Sequence, residues 1–160
     1  MPYAIMRFNK MRNATKFLEN HHRNFCNKDY YIIKPQNSYH AEIESRIEKA
    51  GCKVRRDSIK LVDTLVTAAP EFFKKHSTRN FFELATAFLT SKVGEQNVFS
   101  VVVHMSEQTP HMHFCFTPIT NDGQLSAKEI IGNRQKLIEW QNKFCEYLSA
   151  FYPELERKKS

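Results

Sequence analysis

Two neighbouring segments in the second half of the chain combine β-branched and aromatic residues with alternating polar positions, a pattern typical of β-strands. The first covers Val98–His104 and the second covers 111–120. In the second, His111 and His113 are two residues apart, so their side chains leave one face of a strand with backbones about 6.6 Å apart. The alternate positions are apolar: Met112, Phe114 and Phe116. The alternation therefore predicts one face for chemistry and one face for core packing.

The rest of the chain shows the periodicity of several helices and two further strands. Pro70 is expected at a first helical position and Gly51 directly after a last one. Asn13 is the expected N-cap of the first helix, with Phe17 as an apolar anchor. The segment 26–37 has no clear period and contains a proline, which indicates a loop. The remaining predicted elements are strands at 3–8 and 59–67, helices at 13–22, 39–50, 70–76, 78–91 and 133–151, and a helical turn at 127–131.

This order of elements predicts an α+β fold, with a central antiparallel sheet of about five strands and helices packed on one side. The two histidine-bearing strands are expected to be neighbours near its middle. A length of 160 residues suits a single domain. The charged tail 156–160 is typical of a linker, so we expect this domain to be the N-terminal part of a longer protein.

The composition indicates a cytoplasmic protein with one substantial core and a basic surface. Hydrophobic residues make up 41% of the chain, and thirteen are phenylalanine. No apolar run is long enough to span a membrane, and the four cysteines show no zinc-binding spacing. The net charge of +7 is compatible with a nucleic-acid partner.

The connection between the two strands adds further groups that could bind a metal or handle protons. His104 ends the first strand and Glu107 lies in the turn, so both lie within ten residues of His113. Histidines on strands often have only a structural role, but three imidazoles with a nearby carboxylate favour a metal site. Such a ligand set suits Mn, Zn, Co or Ni better than Ca.

A basic cluster precedes the strand predicted at 59–67. It contains Arg55 and Arg56, with a lysine on either side. Two interpretations stay open for these residues: a solvated edge, or a surface that contacts phosphates.

The motif HMSEQTPHMHFCFTPIT, followed by DGQLSAKEIIGNRQKL, resembles the Mob/Pre plasmid mobilisation and recombination enzymes, the MobV class of relaxases. The segments KVRRDSIKLVDTLVTAAPEFF and MPYAIMRFNKMR resemble the same family, so the similarity covers nearly the whole chain. Two positions depart from the family pattern. Ser106 stands where an aspartate is usual, and 37–41 differs from the family's Arg-Ser-His-Leu-Asn segment.

The resemblance implies an endonuclease of the HUH superfamily, which nicks one DNA strand at an origin of transfer and stays attached to the 5′ phosphate. It implies that a divalent ion, Mn²⁺ or Mg²⁺, is held by four residues: His104, Glu107, His111 and His113. The family's nucleophile is a histidine at the end of the first helix, matched by His21 or His22. Without the resemblance, both are ordinary polar residues at a helix end.

The resemblance also implies single-stranded or hairpin DNA as the partner, in the bacterial cytoplasm and without a membrane. It allows a dimer formed through a C-terminal region that is not part of this sequence. The expected DNA-contacting residues are Arg23, Arg55, Arg56, Lys128 and Arg134.

Three other classes of function remain as alternatives. The first is a rolling-circle initiator or transposase of the HUH superfamily, in which Tyr30 or Tyr31 would be the nucleophile. The second is a DNA-binding domain that has lost cleavage. The third is a metal-dependent hydrolase of small molecules, against which the basic surface argues.

Overall fold

The computed structural model describes residues 2–105 and 108–157, which form one sheet with helices on both faces. No helix within these residues is long and apolar enough to cross a membrane. The strands are β1 Tyr3–Met11, β2 Tyr30–Ile33, β3 Leu61–Ala68, β4 Val98–His104, β5 His111–Phe116 and β6 Glu156–Arg157. The helices are α1 Lys16–Arg23, α2 Tyr39–Ala50, α3 Pro70–Lys75, α4 Thr78–Val93, α5 Ala127–Ile130 and α6 Arg134–Ser149, with a short 3₁₀ turn at Glu95–Asn97.

The sheet has the strand order β2-β4-β5-β3-β1-β6. Five strands pair antiparallel, and the two-residue β6 adds to β1 in parallel. The predicted α+β class and the pairing of β4 with β5 are confirmed. In the register of this pair, His104 lies directly opposite His111.

Strand alternation divides the core into two layers. One face packs against α4 and α6 and contains Met112 and Phe114 from β5, with Val101 and Val103 from β4. The other face carries Cys115 from β5, which packs with residues of α2 and Leu18 of α1 in a smaller cluster. The expectation that the helices lie on one side was wrong, because the histidine-bearing face is itself partly covered by α1 and α2.

Local side-chain chemistry fixes where the helices begin and end. Thr15, not the predicted Asn13, caps α1 by accepting a hydrogen bond from the Leu18 N–H. Gly51 ends α2 in the left-handed region at φ 67°, where a side chain would be strained. Helix α2 has the predicted bounds, since its cap and stop signals are both local.

Two further expectations differ from the structure. The segment expected to be a loop contains β2, which pairs with β4 at the sheet edge and has a register shift between Tyr31 and Ile33. Its four residues, Tyr-Tyr-Ile-Ile, are strong strand formers, but the run is too short for an alternating pattern to stand out. Phe17 is not an anchor in the core, because 85% of the residue is exposed.

Candidate metal centre

Three histidines from β4 and β5 converge at one end of the sheet. The ring centroids of His104 and His111 are 5.4 Å apart, and those of His111 and His113 are 5.2 Å apart. His104 and His113 are separated by 5.8 Å. Antiparallel pairing places the first two side by side, and the period of two places the third on the same face.

The Nδ1 atom of each ring faces an oxygen of the protein. His113 Nδ1 lies 3.1 Å from Asp63 Oδ1, and His111 Nδ1 lies 3.3 Å from the Thr109 carbonyl oxygen. His104 Nδ1 is 3.6 Å from Asp29 Oδ2, within ion-pair range. These contacts favour the tautomer with hydrogen on Nδ1, which leaves the Nε2 lone pair available to a ligand.

Two of the Nε2 atoms, those of His104 and His113, are buried and have no hydrogen-bond partner within the described part of the chain. A buried polar atom without a partner is unfavourable unless something else satisfies it. Imidazole nitrogens are ligands for divalent transition metals. The residues present therefore fit a divalent cation. Glu107, the predicted carboxylate ligand, lies outside the described residues.

A second group of possible donors lies beneath these rings. Ligand atoms of His22, Asp63 and His113 all lie within 4.8 Å of one another. In this group both imidazoles contact the same carboxylate, because His22 Nε2 is 3.3 Å from Asp63 Oδ2. We interpret the group as a hydrogen-bonded support under the three-histidine cluster, since the buried Nε2 atoms without partners belong to that cluster.

Asp63 is the centre of this support and was not predicted from the sequence. Burial alone raises the pKa of its carboxyl, but hydrogen bonds from His113 and His22 outweigh that effect and hold the pKa well below its usual range. Asp63 lies on β3, where it pairs with Cys115 of β5. A single acidic residue within the apolar run LVDTLVTA was the signal that could have identified it.

Asp29 is the corresponding residue for His104 and was also missed. Its side chain has no exposed surface. Besides the contact with His104, its carboxylate accepts hydrogen bonds from the Met105 N–H at 2.6 Å and the Cys26 N–H at 2.9 Å. It thereby fixes the segment after α1 to the end of β4.

His21 and His22 are adjacent on α1 but lie in opposite environments, because successive helical residues point about 100° apart. His21 is exposed, and its ring centroid lies 5.8 Å from those of His104 and His113. His22 is fully buried and its Nδ1 lies 2.8 Å from the Tyr39 hydroxyl. Burial lowers the pKa of His22 despite the opposing effect of Asp63.

The two tyrosines considered as alternative nucleophiles lie on different faces of the sheet. Tyr30 packs against the α4 side, where the Arg79 guanidinium is 4.1 Å from the centre of its ring. Tyr31 points to the histidine face and packs against Phe25 at 4.7 Å between ring centroids. Burial raises the pKa of both hydroxyls.

The predicted DNA-contacting residues are dispersed. Arg23 lies at the end of α1 and bonds to Glu19 Oε2 at 2.6 Å and to the Asn37 carbonyl oxygen at 2.9 Å. Arg55 and Arg56 are exposed in the loop before β3. Leu61, the first residue of β3, is about 20 Å along the strand from Thr67, which pairs with His111. Lys128 and Arg134 are also exposed and belong to α5 and α6, which pack on the opposite face of the sheet.

An open depression of about 600 Å³ is lined by His111 and His113, by His21 of α1, and by Leu65 and Thr67 of β3. Beyond β3, Arg7 of β1 is exposed and pairs with Leu65, which in turn pairs with His113. Arg7 is therefore on the histidine face, about 10 Å from His113 across two strand spacings. Arg7 was not predicted as a site residue, because no motif marks it in the sequence.

The family model that matches this chain and the two curated relatives compared with it here are all plasmid recombination enzymes. The Mob_Pre family, described as a plasmid recombination enzyme, matches residues 1–159. A type 3 plasmid recombination enzyme of Mammaliicoccus lentus is 34% identical over all of this chain, and a type 1 enzyme of Staphylococcus aureus is 35% identical over 98% of it. The chain spans 44% of the length of each of these relatives.

Solved structures show the same fold. The MobM relaxase domain, bound to origin-of-transfer DNA of plasmid pMV158 and to manganese, superposes with a TM-score of 0.87 at 28% identity. The match covers 98% of this chain and 91% of that domain. A second complex of that domain, with a longer oligonucleotide, gives a TM-score of 0.84 at 30% identity over 98% of this chain and 91% of that one.

Proposed function

Because the chain belongs to the Mob_Pre family of plasmid recombination enzymes, we propose that it is a relaxase domain that nicks one DNA strand at a plasmid origin of transfer. Nicking proceeds by transesterification through a covalent protein–DNA intermediate, which allows later strand transfer. The observation that carries this proposal is the convergence of His104, His111 and His113 beside the exposed imidazole of His21.

The three strand histidines would hold the divalent cation through Nε2, and Glu107 would add a carboxylate. Manganese is the first choice because related relaxase domains have been solved with it, and Mg²⁺ is the alternative. When bound, such a cation polarises the scissile phosphate and stabilises the charge of the transition state. Asp63 and Asp29 serve as positioning residues, since they hold the rings of His113 and His104.

His21 is the proposed nucleophile, since His22 is buried and bonded to Tyr39 and Asp63. A neutral imidazole nitrogen of His21 attacks phosphorus and forms a nitrogen–phosphorus bond. The bond from phosphorus to the 3′ oxygen breaks, and that oxygen takes a proton from solvent. Attack by a 3′ hydroxyl on the adduct reverses these steps and rejoins a strand.

The substrate is single-stranded DNA, or the single-stranded flank of a hairpin, lying across the open face of the sheet. Arg7 lies on this face and Arg23 lies at the end of α1, so both are proposed to pair with phosphates close to the cut. Arg55 and Arg56 lie in the loop before β3, at the end of that strand remote from His111, so they would contact the DNA far from the cut. Lys128 and Arg134, on elements of the other face, would contact only DNA that wraps around the domain.

The test is a nicking assay on a supercoiled plasmid that carries the cognate origin. With Mn²⁺, the parent should convert it to the open circle, and the variant with His111→Ala and His113→Ala should lose activity by at least about a hundredfold. His40→Ala is the matched control, because His40 is an exposed histidine on α2. If the double variant nicks as well as the parent, the assigned metal ligands are incorrect. Binding without nicking by the parent would instead indicate a non-catalytic DNA-binding domain.

A further inference from the structure

Two exposed phenylalanines lie on or just after α1, the helix that carries His21. Phe17 on α1 is 85% exposed, and Phe25, two residues after the end of that helix, is 40% exposed. The other large apolar residues that are exposed within the described ranges are Val54, Ile138 and Phe151. The aromatic ones near the candidate site are therefore Phe17 and Phe25, and the fold does not use most of the Phe17 surface.

The position of Phe17 follows from helix geometry. It precedes His21 by four residues, so both side chains lie on the same side of α1, about 6 Å apart along the helix axis. The exposed phenyl ring therefore lies on the helix face that presents His21 to the depression lined by His111 and His113.

Phe25 lies on the other side of His21 along the chain. Its ring centroid is 6.3 Å from that of His104 and 4.7 Å from that of Tyr31. Tyr31 packs against the phenyl ring, and Phe25 as a residue remains 40% exposed. In the chain, Phe17 and Phe25 thus lie four residues before and four residues after His21.

We propose that Phe17 and Phe25 stack on the two DNA bases that flank the scissile phosphate. Stacking on both sides would spread these bases apart and leave the phosphate between them facing His21. The occupant is single-stranded DNA, because bases inside a duplex do not expose their faces to such rings, and the chain's net charge of +7 complements its phosphates. This inference rests on the proposed nicking function and identifies how its substrate is held.

The test measures binding of a fluorescein-labelled oligothymidine by fluorescence anisotropy at several salt concentrations. Phe17→Ala and Phe25→Ala should each weaken binding about tenfold, because each variant loses the binding free energy of one base stacked on an aromatic ring. The dependence on salt should stay parallel to that of the parent, because no phosphate contact is removed. Phe17→Trp, which keeps an aromatic ring, should bind like the parent. Phe17→Leu, which keeps only an apolar side chain, should bind as weakly as Phe17→Ala.

Phe151→Ala is the matched control, since Phe151 is 52% exposed but follows α6 on the opposite face of the sheet. It should bind like the parent. Two adjacent abasic positions at the centre of the oligothymidine should reduce its affinity for the parent. The reduction should be smaller for the variant that lacks both phenylalanines.

Phe25 contacts His104, so a substitution of Phe25 could weaken DNA binding by disturbing a metal ligand and not by loss of stacking. Calorimetric titration of Phe25→Ala and Phe25→Leu with Mn²⁺ separates these two effects. Mn²⁺ affinity should not change in either Phe25 variant. If the parent nicks its plasmid but both alanine variants bind oligothymidine as the parent does, the stacking proposal fails and the proposed function stands. If the parent neither binds nor nicks, both fail.

Discussion

Adjacent residues of α1 illustrate how much function depends on the direction of one side chain. His21 faces solvent and the strand histidines, whereas His22 faces the core and joins Tyr39 to Asp63. The Tyr39 hydroxyl lies 2.9 Å from Ser100 Oγ, so the network runs from β4 through α2 and α1 to β3. Asp63 bonds to both His22 and His113, so His22 helps to hold the carboxylate that orients the His113 ring.

Substitution of the two histidines should separate chemistry from support. His21→Ala should keep the fold and DNA binding but abolish the covalent adduct on denaturing gels. His22→Ala should lower the free energy of unfolding by roughly 2–4 kcal/mol, because it removes one buried hydrogen-bond partner from the Tyr39 hydroxyl and one from Asp63, and leaves a cavity in place of the ring. Urea denaturation measures the second effect, and mass mapping of the DNA-linked peptide identifies the nucleophile. An adduct on Tyr31 in the parent would contradict the assignment of His21.

At the scale of elements, Glu42 fixes how α2 joins the edge of the sheet. Its carboxylate accepts hydrogen bonds from the Gln36 and Asn37 N–H groups at 2.7 and 3.0 Å, and from Arg46 at 2.9 Å. Partial burial tends to raise the pKa of Glu42, but the bonds from Arg46 and from the two backbone groups lower it overall. Arg46 extends the link by donating to the Val98 carbonyl oxygen at the start of β4.

Glu42→Gln should therefore destabilise the protein in a manner that depends on pH. The folded pKa is below the unfolded value of about 4.3, so ionised Glu42 contributes stability above that pH, and the contribution is lost as pH falls through the folded pKa. We expect a loss of about 1–2 kcal/mol at neutral pH, and a much smaller difference from the parent at about pH 3. Urea denaturation at both pH values measures this. Glu48→Gln, at an exposed position of α2, is the control, and an equal loss at both pH values would contradict the electrostatic explanation.

The elements that were predictable are those specified by local signals. Helix α2 was predicted from Gly51 and its apolar spacing, and the shared face of His111 and His113 follows from strand alternation alone. Asp63 and Asp29 were not predicted as part of the site, because their roles depend on the β3–β5 register and on a turn after α1. The exposure of Phe17 was also hidden, since an amphipathic pattern does not tell which apolar residues a short helix leaves outside the core.

At the scale of the whole molecule, the candidate metal centre connects segments that are distant in the sequence. Its histidines lie on β4 and β5, and their carboxylate partners come from the turn after α1 and from β3. A cation bound only by the folded arrangement must therefore stabilise the whole domain, by an amount set by its concentration relative to its dissociation constant.

Mn²⁺ should raise the melting temperature of the parent, and the choice of variant can locate the ion. At a hundredfold excess over the dissociation constant the gain is about 2.7 kcal/mol, which corresponds to about 5–10 °C for a domain of this size. A variant with His104→Ala and His111→Ala should lose this shift, whereas His40→Ala should keep it. EDTA should return the parent to the metal-free value. The double variant leaves His22, Asp63 and His113 intact, so a full shift in that variant would place the ion between those three residues and remove it from the three strand histidines.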